Sequence, residues 1–194
     1  MRTPSVPGGS AAEFESLLRP HLRHLYQTAY RFTGTRADAE DLVQDVLVKL
    51  YPRLSELRTV DQLRPWLARV LYRAFVDEWR RRGRRGEQVA PVAQDGAETG
   101  TDPMDRLPCV SPGPEQETQA GLIRARLDAA LATLNPEQRA VVALHDMEGY
   151  TLEELASLLD CPTGTLKSRL HRARARLRIE LDMEPLSALE RVEG

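Results

Sequence analysis

The sequence predicts an all-α protein with two small helical domains joined by a flexible linker. In several stretches apolar residues recur every three or four positions, which is the spacing of one face of an α-helix. No stretch of useful length alternates apolar and polar residues as a β-strand would. Residues 86–118 are rich in Pro, Gly, Ala and Thr and carry more acidic than basic residues, which is typical of a linker. We therefore expect a flexible lead over 1–12, a first domain over 13–85, the linker over 86–118, a second domain over 119–182 and a tail over 183–194.

Composition sets limits on function. The 194 residues are 41% hydrophobic and 29% charged, as in soluble globular proteins, and the formal net charge of -2 does not by itself indicate nucleic acid. Neither a signal-peptide pattern nor a membrane-length apolar run is present, so a cytoplasmic location without membrane insertion is expected. Cys109 and Cys161 have neither disulfide-framework nor zinc spacing, so we expect no metal and no cofactor, with a redox pair as the alternative.

The first domain is expected to begin with two helices around Pro20. Residues 13–18 start a helical pattern, and Pro20 suits the first position of a second helix, where its missing N–H costs little. An apolar stripe follows over 22–30, and Gly34 is the predicted C-terminal stop. His21 and His24 have no third ligand in view and are expected to be surface residues.

The next predicted helix has an acidic polar face. Thr35 and Asp38 have capping-box spacing, and the apolar face runs from Leu42 to Leu50 before Pro52 ends the helix. Two explanations remain open for the acidic residues: attraction to the helix dipole, or a docking face for a basic partner surface. These polar residues are Asp38, Glu40, Asp41, Gln44 and Asp45.

A longer helix follows a polar loop over 57–64 and is expected to start at Pro65 or Trp66. Its apolar positions indicate a core helix. It ends in the run WRRRGRR over 79–85, where an aromatic residue stands beside a cationic cluster. Such a cluster suits phosphate neutralisation and base stacking.

The second domain is predicted to contain a helix from Gln119 that breaks at Asn135, followed by a helix that Asn135 caps with Pro136 in its first position. That helix is expected to run to Gly149 and to pack under the elements that follow. Thr151 and Glu154 then form a second capping-box pattern.

The stretch from Gly149 to Arg178 predicts a helix-turn-helix. Residues 160–162 interrupt the apolar pattern, and a second helix is expected from Thr163. Between Cys161 and Arg178 there are six basic residues and no carboxylate, whereas a merely solvated helix usually mixes charges. We therefore favour DNA as the partner over a solvated face.

Three segments resemble the extracytoplasmic-function (group IV) sigma factors of the sigma-70 family, and the resemblance covers nearly the whole chain. DAEDLVQDVLVKLY is similar to the polymerase-docking segment of the family's second region. WLARVLYRAFVDEWRRRGRR is similar to its promoter-melting helix. GYTLEELASLLDCPTGTLKSRLHRARARL closely resembles the motif of its fourth region.

The resemblance implies three sets of functional residues. The polymerase-binding set is Asp38, Asp41, Gln44 and Asp45. The minus-ten set is Arg58, Thr59, Val60, Asp61, Gln62, Arg69, Arg73, Arg80 and Arg81. The minus-35 set is Thr165, Lys167, Ser168, Arg169, His171, Arg172, Arg174 and Arg176. Arg73 stands where the family usually has asparagine, and a guanidinium cannot replace an amide's paired donor and acceptor.

The implied function is that of a bacterial transcription initiation factor without enzymatic activity. The implied partners are core RNA polymerase, through the β′ clamp helices and the β flap, promoter DNA and an anti-sigma factor. Two alternatives compete with this reading. A conventional helix-turn-helix repressor or activator would bind its site unaided, typically as a symmetric dimer. A nucleic-acid enzyme would need clustered carboxylates or ligand histidines, which the sequence lacks.

Overall fold

The computed structural model describes residues 8–85 and 114–182, which contain eight α-helices and no β-strand. A 3-10 turn over Tyr51–Arg53 separates α2 from α3, and a π-helical turn over Ala143–Met147 follows α6. The helices are α1 (Gly8–Thr33), α2 (Arg36–Leu50), α3 (Leu54–Leu57), α4 (Leu63–Arg84), α5 (Pro114–Ala132), α6 (Pro136–Val142), α7 (Leu152–Leu159) and α8 (Thr163–Asp182). The predicted all-α class is confirmed.

Helix α1 is continuous, so the prediction that Pro20 starts a second helix is wrong. Pro20 and Ser16 are both exposed, so water can satisfy the Ser16 carbonyl that proline leaves without an amide donor. Leu18 and Leu25, on either side of Pro20, are only 2% and 3% exposed, and their burial holds both segments against the core. The helix begins at Gly8, ahead of the expected start at Glu13.

Gly34 ends α1 as predicted. Its φ of +84° is the left-handed conformation that glycine adopts without strain, and its N–H donates to the Tyr30 carbonyl at 2.7 Å. The short break lets α2 fold back on α1. Phe32, near the end of α1, packs with Tyr72 and Phe75 of α4, with ring centroids 6.5 and 5.2 Å apart.

Side-chain caps set the starts of α6 and α7. Asn135 Oδ1 accepts from the Gln138 N–H at 2.9 Å, and the Gln138 side chain accepts from the Asn135 N–H at 3.4 Å. At α7, Thr151 Oγ1 accepts from the Glu154 N–H at 3.2 Å, and Glu154 Oε2 accepts from the Thr151 N–H at 2.8 Å. Both predicted caps are confirmed, and hydrogen bonds from Thr151 lower the pKa of Glu154.

We predict that Thr151→Ala lowers the free energy of unfolding by about 1 kcal/mol, because the Glu154 N–H loses its acceptor. Denaturant titration followed by circular dichroism measures the change. Ser157→Ala in the same helix is the control, because it removes only a hydroxyl that bonds back to the Glu153 carbonyl. Equal losses in the two variants would contradict the capping role.

Helices α7 and α8 form the predicted helix-turn-helix. Asp160, with φ of 53°, ends α7 in the left-handed conformation, and α8 begins three residues later. Leu155 and Leu166 are fully buried in the same apolar cluster as Leu144 of the π-helical turn. The helix that was expected to run from Pro136 to Gly149 therefore lies under the motif, but it changes to π geometry after Val142.

The N-terminal half (residues 8–85) and the C-terminal half (residues 114–182) pack directly on each other. Helix α1 contacts α6 and the π-helical turn, and α4 contacts α6 and α7. The buried apolar residues of both halves belong to one continuous cluster. The two sequence units thus share one core in this form of the protein.

Candidate nucleic-acid interface

The acidic side of α2 is open to solvent. Asp41, Gln44 and Asp45 are exposed, and Val48, one turn further on, is 67% exposed. The helix dipole acts only within the first turn, and α2 begins at Arg36, so capping does not account for Asp41 and Asp45. The helix dipole therefore does not explain Asp41 and Asp45, and the exposed face also carries an apolar residue, Val48, that sequence reasoning missed.

Asp38 differs from the rest of this face because its carboxylate accepts hydrogen bonds from other residues of the protein. It accepts from the Thr35 hydroxyl at 2.7 Å and from Arg82 Nη2 at 3.0 Å. Thr35 caps the Asp38 N–H at 3.1 Å, as predicted for one arm of a capping box. Asp38 thus joins the start of α2 to the end of α4.

The segment from Arg58 to Gln62 links α3 to α4 as a surface turn. Arg58 is held by Glu13 of α1 through two hydrogen bonds, of 2.7 and 2.6 Å. This hydrogen bonding lowers the pKa of Glu13 and raises that of Arg58. The sequence offered no signal for Glu13, since the pair is 45 residues apart. The other residues of the implied minus-ten set in this segment are Thr59, Val60, Asp61 and Gln62, which follow in the same turn.

Cationic residues recur along α4. Arg69, Arg73 and Arg80 stand at i, i+4 and i+11, which places them on one side of the helix. Arg73 and Arg80 are exposed, whereas Arg69 is half-buried. Arg81 is also exposed and pairs with Glu78 at 3.0 Å. A row of this kind can follow a phosphate backbone.

The outer face of α8 carries the donors expected to contact bases. Lys167, Ser168, His171 and Arg172 are exposed. The pairs 167/171 and 168/172 each lie four residues apart, so they form neighbouring rows on one face. Arg172 Nε donates to the Ser168 carbonyl at 3.3 Å.

Three arginines expected to contact the DNA backbone are paired with carboxylates in this form. Arg169 donates to Glu137 at 2.5 Å and lies 3.4 Å from Cys161 Sγ. Arg174 holds Asp146 with two hydrogen bonds, and Arg176 lies 2.9 Å from Glu180. Thr165 is half-buried in the first turn of α8.

A cavity of about 460 Å³ opens beside this face. The π-helical turn places His145 at its edge, and His145 Nδ1 donates to the Tyr150 carbonyl at 2.6 Å. The sequence placed Arg178 in the basic row of α8, but it did not single out His145, which no motif marks. The polar lining residues are cationic or imidazole side chains, and none is a carboxylate. The full lining is His145, Leu152, Lys167, Leu170, His171, Arg174, Ala175 and Arg178.

Two other kinds of functional feature were sought in the described residues: a metal site and a membrane-spanning helix. Within residues 8–85 and 114–182, no three His, Cys, Asp or Glu side chains are grouped to hold a metal ion. None of the helices in those ranges combines the length and apolar character needed to cross a membrane. An exposed cationic helix within a helix-turn-helix defines the class: a helix-turn-helix DNA-binding protein.

Comparison with known proteins gives the family. The family profiles "Sigma-70 region 2" and "Sigma-70, region 4" match residues 17–85 and 124–177. The chain is 36% identical to the RNA polymerase sigma-E factor of Streptomyces avermitilis over 187 residues, covering 95% of each protein. It is also 36% identical to the ECF RNA polymerase sigma factor SigE of Mycolicibacterium smegmatis, covering 85% of this chain but only 60% of that relative.

Solved structures agree with this result. The sigma factor RpoE of Bartonella quintana, in complex with the anti-sigma factor NepR, superimposes with a TM-score of 0.61 at 27% identity, covering 89% of this chain and 98% of RpoE. CnrH, in complex with the cytosolic domain of CnrY, shares the fold at 23% identity with a TM-score of 0.55, covering 90% of this chain and 96% of CnrH. The chain belongs to the sigma-70 family of RNA polymerase sigma factors, in the extracytoplasmic-function group. It is a transcription initiation factor that gives RNA polymerase its promoter specificity.

Proposed function

We propose that this chain works through three surfaces: the exposed acidic face of α2 binds core polymerase, the 58–62 turn with α4 binds the minus-ten element, and α8 binds the minus-35 element. The observation that carries the proposal is the separation of charge among these surfaces. Exposed carboxylates lie on α2, and exposed cations lie on α4 and α8. A single protein built this way can join a basic protein surface to DNA.

The α2 surface suits the β′ clamp helices. Asp41 and Asp45 supply charge that speeds and orients association, while Gln44 and Val48 supply hydrogen-bonding and apolar contact at the centre. Asp38 acts differently from its three neighbours, because its carboxylate is already bound to Arg82. We assign it the role of fixing α2 against α4.

The minus-ten surface suits a flipped base and a melted strand. Taking a base out of the stack costs a few kcal/mol, which contacts in the 58–62 turn and cationic capture of the strand offset. Arg73, Arg80 and Arg81 are exposed for that capture. Arg73 gives this chain a cation at a position where an amide is usual, so we expect a phosphate or stacking contact there.

The α8 surface suits the major groove of duplex DNA. Lys167, Ser168, His171 and Arg172 face solvent as base-edge donors. Thr165, Arg169, Arg174 and Arg176 lie nearer the backbone side, and Arg169, Arg174 and Arg176 would exchange a carboxylate for a phosphate on binding.

Several further assignments complete the proposal. The chain performs no covalent chemistry, since polymerase supplies catalysis, and it acts in the bacterial cytoplasm. The C-terminal half also binds the β flap. An anti-sigma factor restrains the chain, which is supported by the likeness to RpoE in its complex with NepR. The functional units are a lead over 1–12, region 2 over 13–85, a linker over 86–118, region 4 over 119–182 and a tail over 183–194.

Transcription by core polymerase of the same organism on fragmented genomic DNA, with and without this chain, tests the proposal. Mapping RNA 5′ ends should reveal new starts downstream of a shared pair of spaced motifs. If no starts appear and the protein alone shifts a palindromic duplex, the chain is instead a conventional regulator that binds as a dimer.

We predict that Arg172→Ala weakens minus-35 binding by about 1–3 kcal/mol and relaxes the preference at one or two base pairs, because the exposed guanidinium is placed to donate to a base edge. Holoenzyme binding to promoters with single base-pair changes measures both effects. Arg23→Ala, which removes an exposed arginine of α1, is the charge-matched control. A uniform loss across all promoter variants would make Arg172 a phosphate contact.

A further inference from the structure

The start of α1 packs against the segment that leads into the 58–62 turn. The ring of Phe14 meets the ring of Tyr51 edge to face, with centroids 5.3 Å apart and an angle of 79° between the planes. Ser10 Oγ lies 3.3 Å from the Tyr51 hydroxyl, within hydrogen-bond distance. Such an aromatic pair is attractive beyond the area that it buries. The first two turns of α1 thus hold the 3-10 turn that precedes α3.

Glu13 lies between these two contacts on α1 and binds the first residue of the 58–62 turn. Its Oε1 accepts from Arg58 Nε at 2.7 Å, and its Oε2 accepts from Arg58 Nη2 at 2.6 Å. A bidentate pair fixes the plane of the guanidinium as well as its position. Because these bonds lower the pKa of Glu13, its carboxylate stays charged at neutral pH.

This pair contributes order rather than stability. The side chains of Arg58 and Glu13 are 55% and 39% exposed. Water and salt screen exposed ion pairs, which therefore add little to the free energy of unfolding. An arginine side chain has many rotamers, however, and two hydrogen bonds to one carboxylate restrict them. The effect of Glu13 is therefore expected in what Arg58 binds.

The Glu13 contact leaves part of the Arg58 guanidinium available. The pair uses Nε and Nη2, and the N–H groups of Nη1 take no part in it. A guanidinium carries N–H donors along more than one edge, so one edge can bind a carboxylate while another donates to a phosphate or a base. Arg58 can therefore contact nucleic acid without leaving Glu13.

The position of Arg58 also affects the rest of the turn. Leu57, immediately before it, is 1% exposed and ties the α3 side of the turn to the core. The Thr59 hydroxyl donates to the Glu56 carbonyl at 2.8 Å. Residues 61–62, further along, are exposed. Glu13 adds a tie from α1 to a turn that begins at a buried residue and ends in exposed side chains.

We propose that Glu13 is a positioning residue of the minus-ten surface, which holds Arg58 and the start of the 58–62 turn in the arrangement that receives the flipped base. The inference rests on the proposed function of that turn. Ordering a long side chain on binding costs free energy, and a side chain ordered beforehand avoids part of that cost. By its charge alone, a carboxylate beside bound DNA opposes binding. Positioning and charge therefore act in opposite directions, so an experiment can separate them.

Glu13→Gln in the holoenzyme tests the proposal, because it removes the charge and keeps the size of the side chain. The probes are labelled single strands: the minus-ten strand of the promoters found by mapping RNA 5′ ends, and the same strand with the captured base replaced. The ratio of their affinities should fall about two- to tenfold, which is the cost of ordering one long side chain. Loss of folded protein would weaken both affinities equally and leave the ratio unchanged. An effect of charge alone would strengthen both.

Glu15→Gln is the matched control. Glu15 is an exposed carboxylate of the same helix, 2.5 Å from Arg19, and its replacement should leave the ratio unaltered. Arg58→Ala should lower the ratio at least as far as Glu13→Gln. Adding Glu13→Gln to Arg58→Ala should lower it no further, because the two residues act as one unit. An unchanged ratio in Glu13→Gln, or a full further loss in the double variant, would overturn the proposal.

Hydrogen exchange of the Arg58 Nε–H in the free chain separates this proposal from the proposed function. Nitrogen-15 NMR should show faster exchange in Glu13→Gln than in Glu15→Gln, because only the first removes the Oε1 that accepts this hydrogen. Equal exchange in the two variants would overturn the positioning role, whatever happens to DNA binding. If exchange changes as expected but Arg58→Ala keeps the full affinity ratio, the minus-ten function of the turn fails and the positioning role fails with it.

Discussion

Replacing both Asp41 and Asp45 with lysine is expected to weaken binding to core polymerase by at least about 100-fold and to leave helical content unchanged. Both side chains are exposed, and Lys49 Nζ lies 4.0 Å from Asp45 Oδ2. An exposed pair at that distance contributes little to stability. At the interface, two attractive contacts would become like-charge contacts, which cost several kcal/mol.

A second double variant separates local docking from overall charge. Glu15→Lys with Glu153→Lys makes the same change in net charge at exposed positions on α1 and α7. It should bind polymerase nearly as well as the unaltered chain in the same pull-down or fluorescence titration. If both double variants lose binding equally, long-range charge rather than the α2 face governs association.

Leu166→Ala is expected to lower the free energy of unfolding by about 3–5 kcal/mol and to abolish stable binding to the minus-35 element. Leu166 is fully buried in the second turn of α8, in the same cluster as Leu144 and Leu155. Truncating a buried leucine removes its transfer free energy and leaves a cavity. Denaturant unfolding followed by circular dichroism measures the first effect, and duplex binding the second.

Ile179→Ala in the same helix is the matched comparison. Ile179 is 52% exposed, so its truncation leaves no cavity in the core. It should change the free energy of unfolding by less than about 1 kcal/mol. A Leu166→Ala variant no less stable than Ile179→Ala would show that α8 is not anchored through Leu166.

Local chemistry made much of the fold predictable. The caps at Asn135 and Thr151 depend on residues three positions apart, and the stop at Gly34 depends on one backbone conformation. Such patterns can be recognised in the sequence because the interacting groups are neighbours along the chain. The exposed donors of α8 were predictable for the same reason, since helical periodicity alone separates them from the buried face.

Contacts between distant residues were not predictable. Glu148 and Thr28 are 120 residues apart, and neither lies in a pattern that marks it as a partner of the other. His24 was expected at the surface, yet it lies beside Glu148 and also within 3.2 Å of Arg64 Nε. The change to π geometry after Val142 and the continuity of α1 through Pro20 likewise depend on packing and solvent exposure rather than on local sequence.

The two sides of α8 are expected to tolerate substitution to different extents. Leu166, Leu170 and Ala173 are buried, so changes there alter the fold before they alter recognition. Lys167, Ser168 and His171 make no comparable contact with the core. Under the proposed function, substitutions on the outer side would change the preferred promoter sequence with little effect on stability. After gene duplication, one copy could come to direct polymerase to a different set of genes through a few substitutions on the outer side of α8. The buried residues that determine its fold would stay the same.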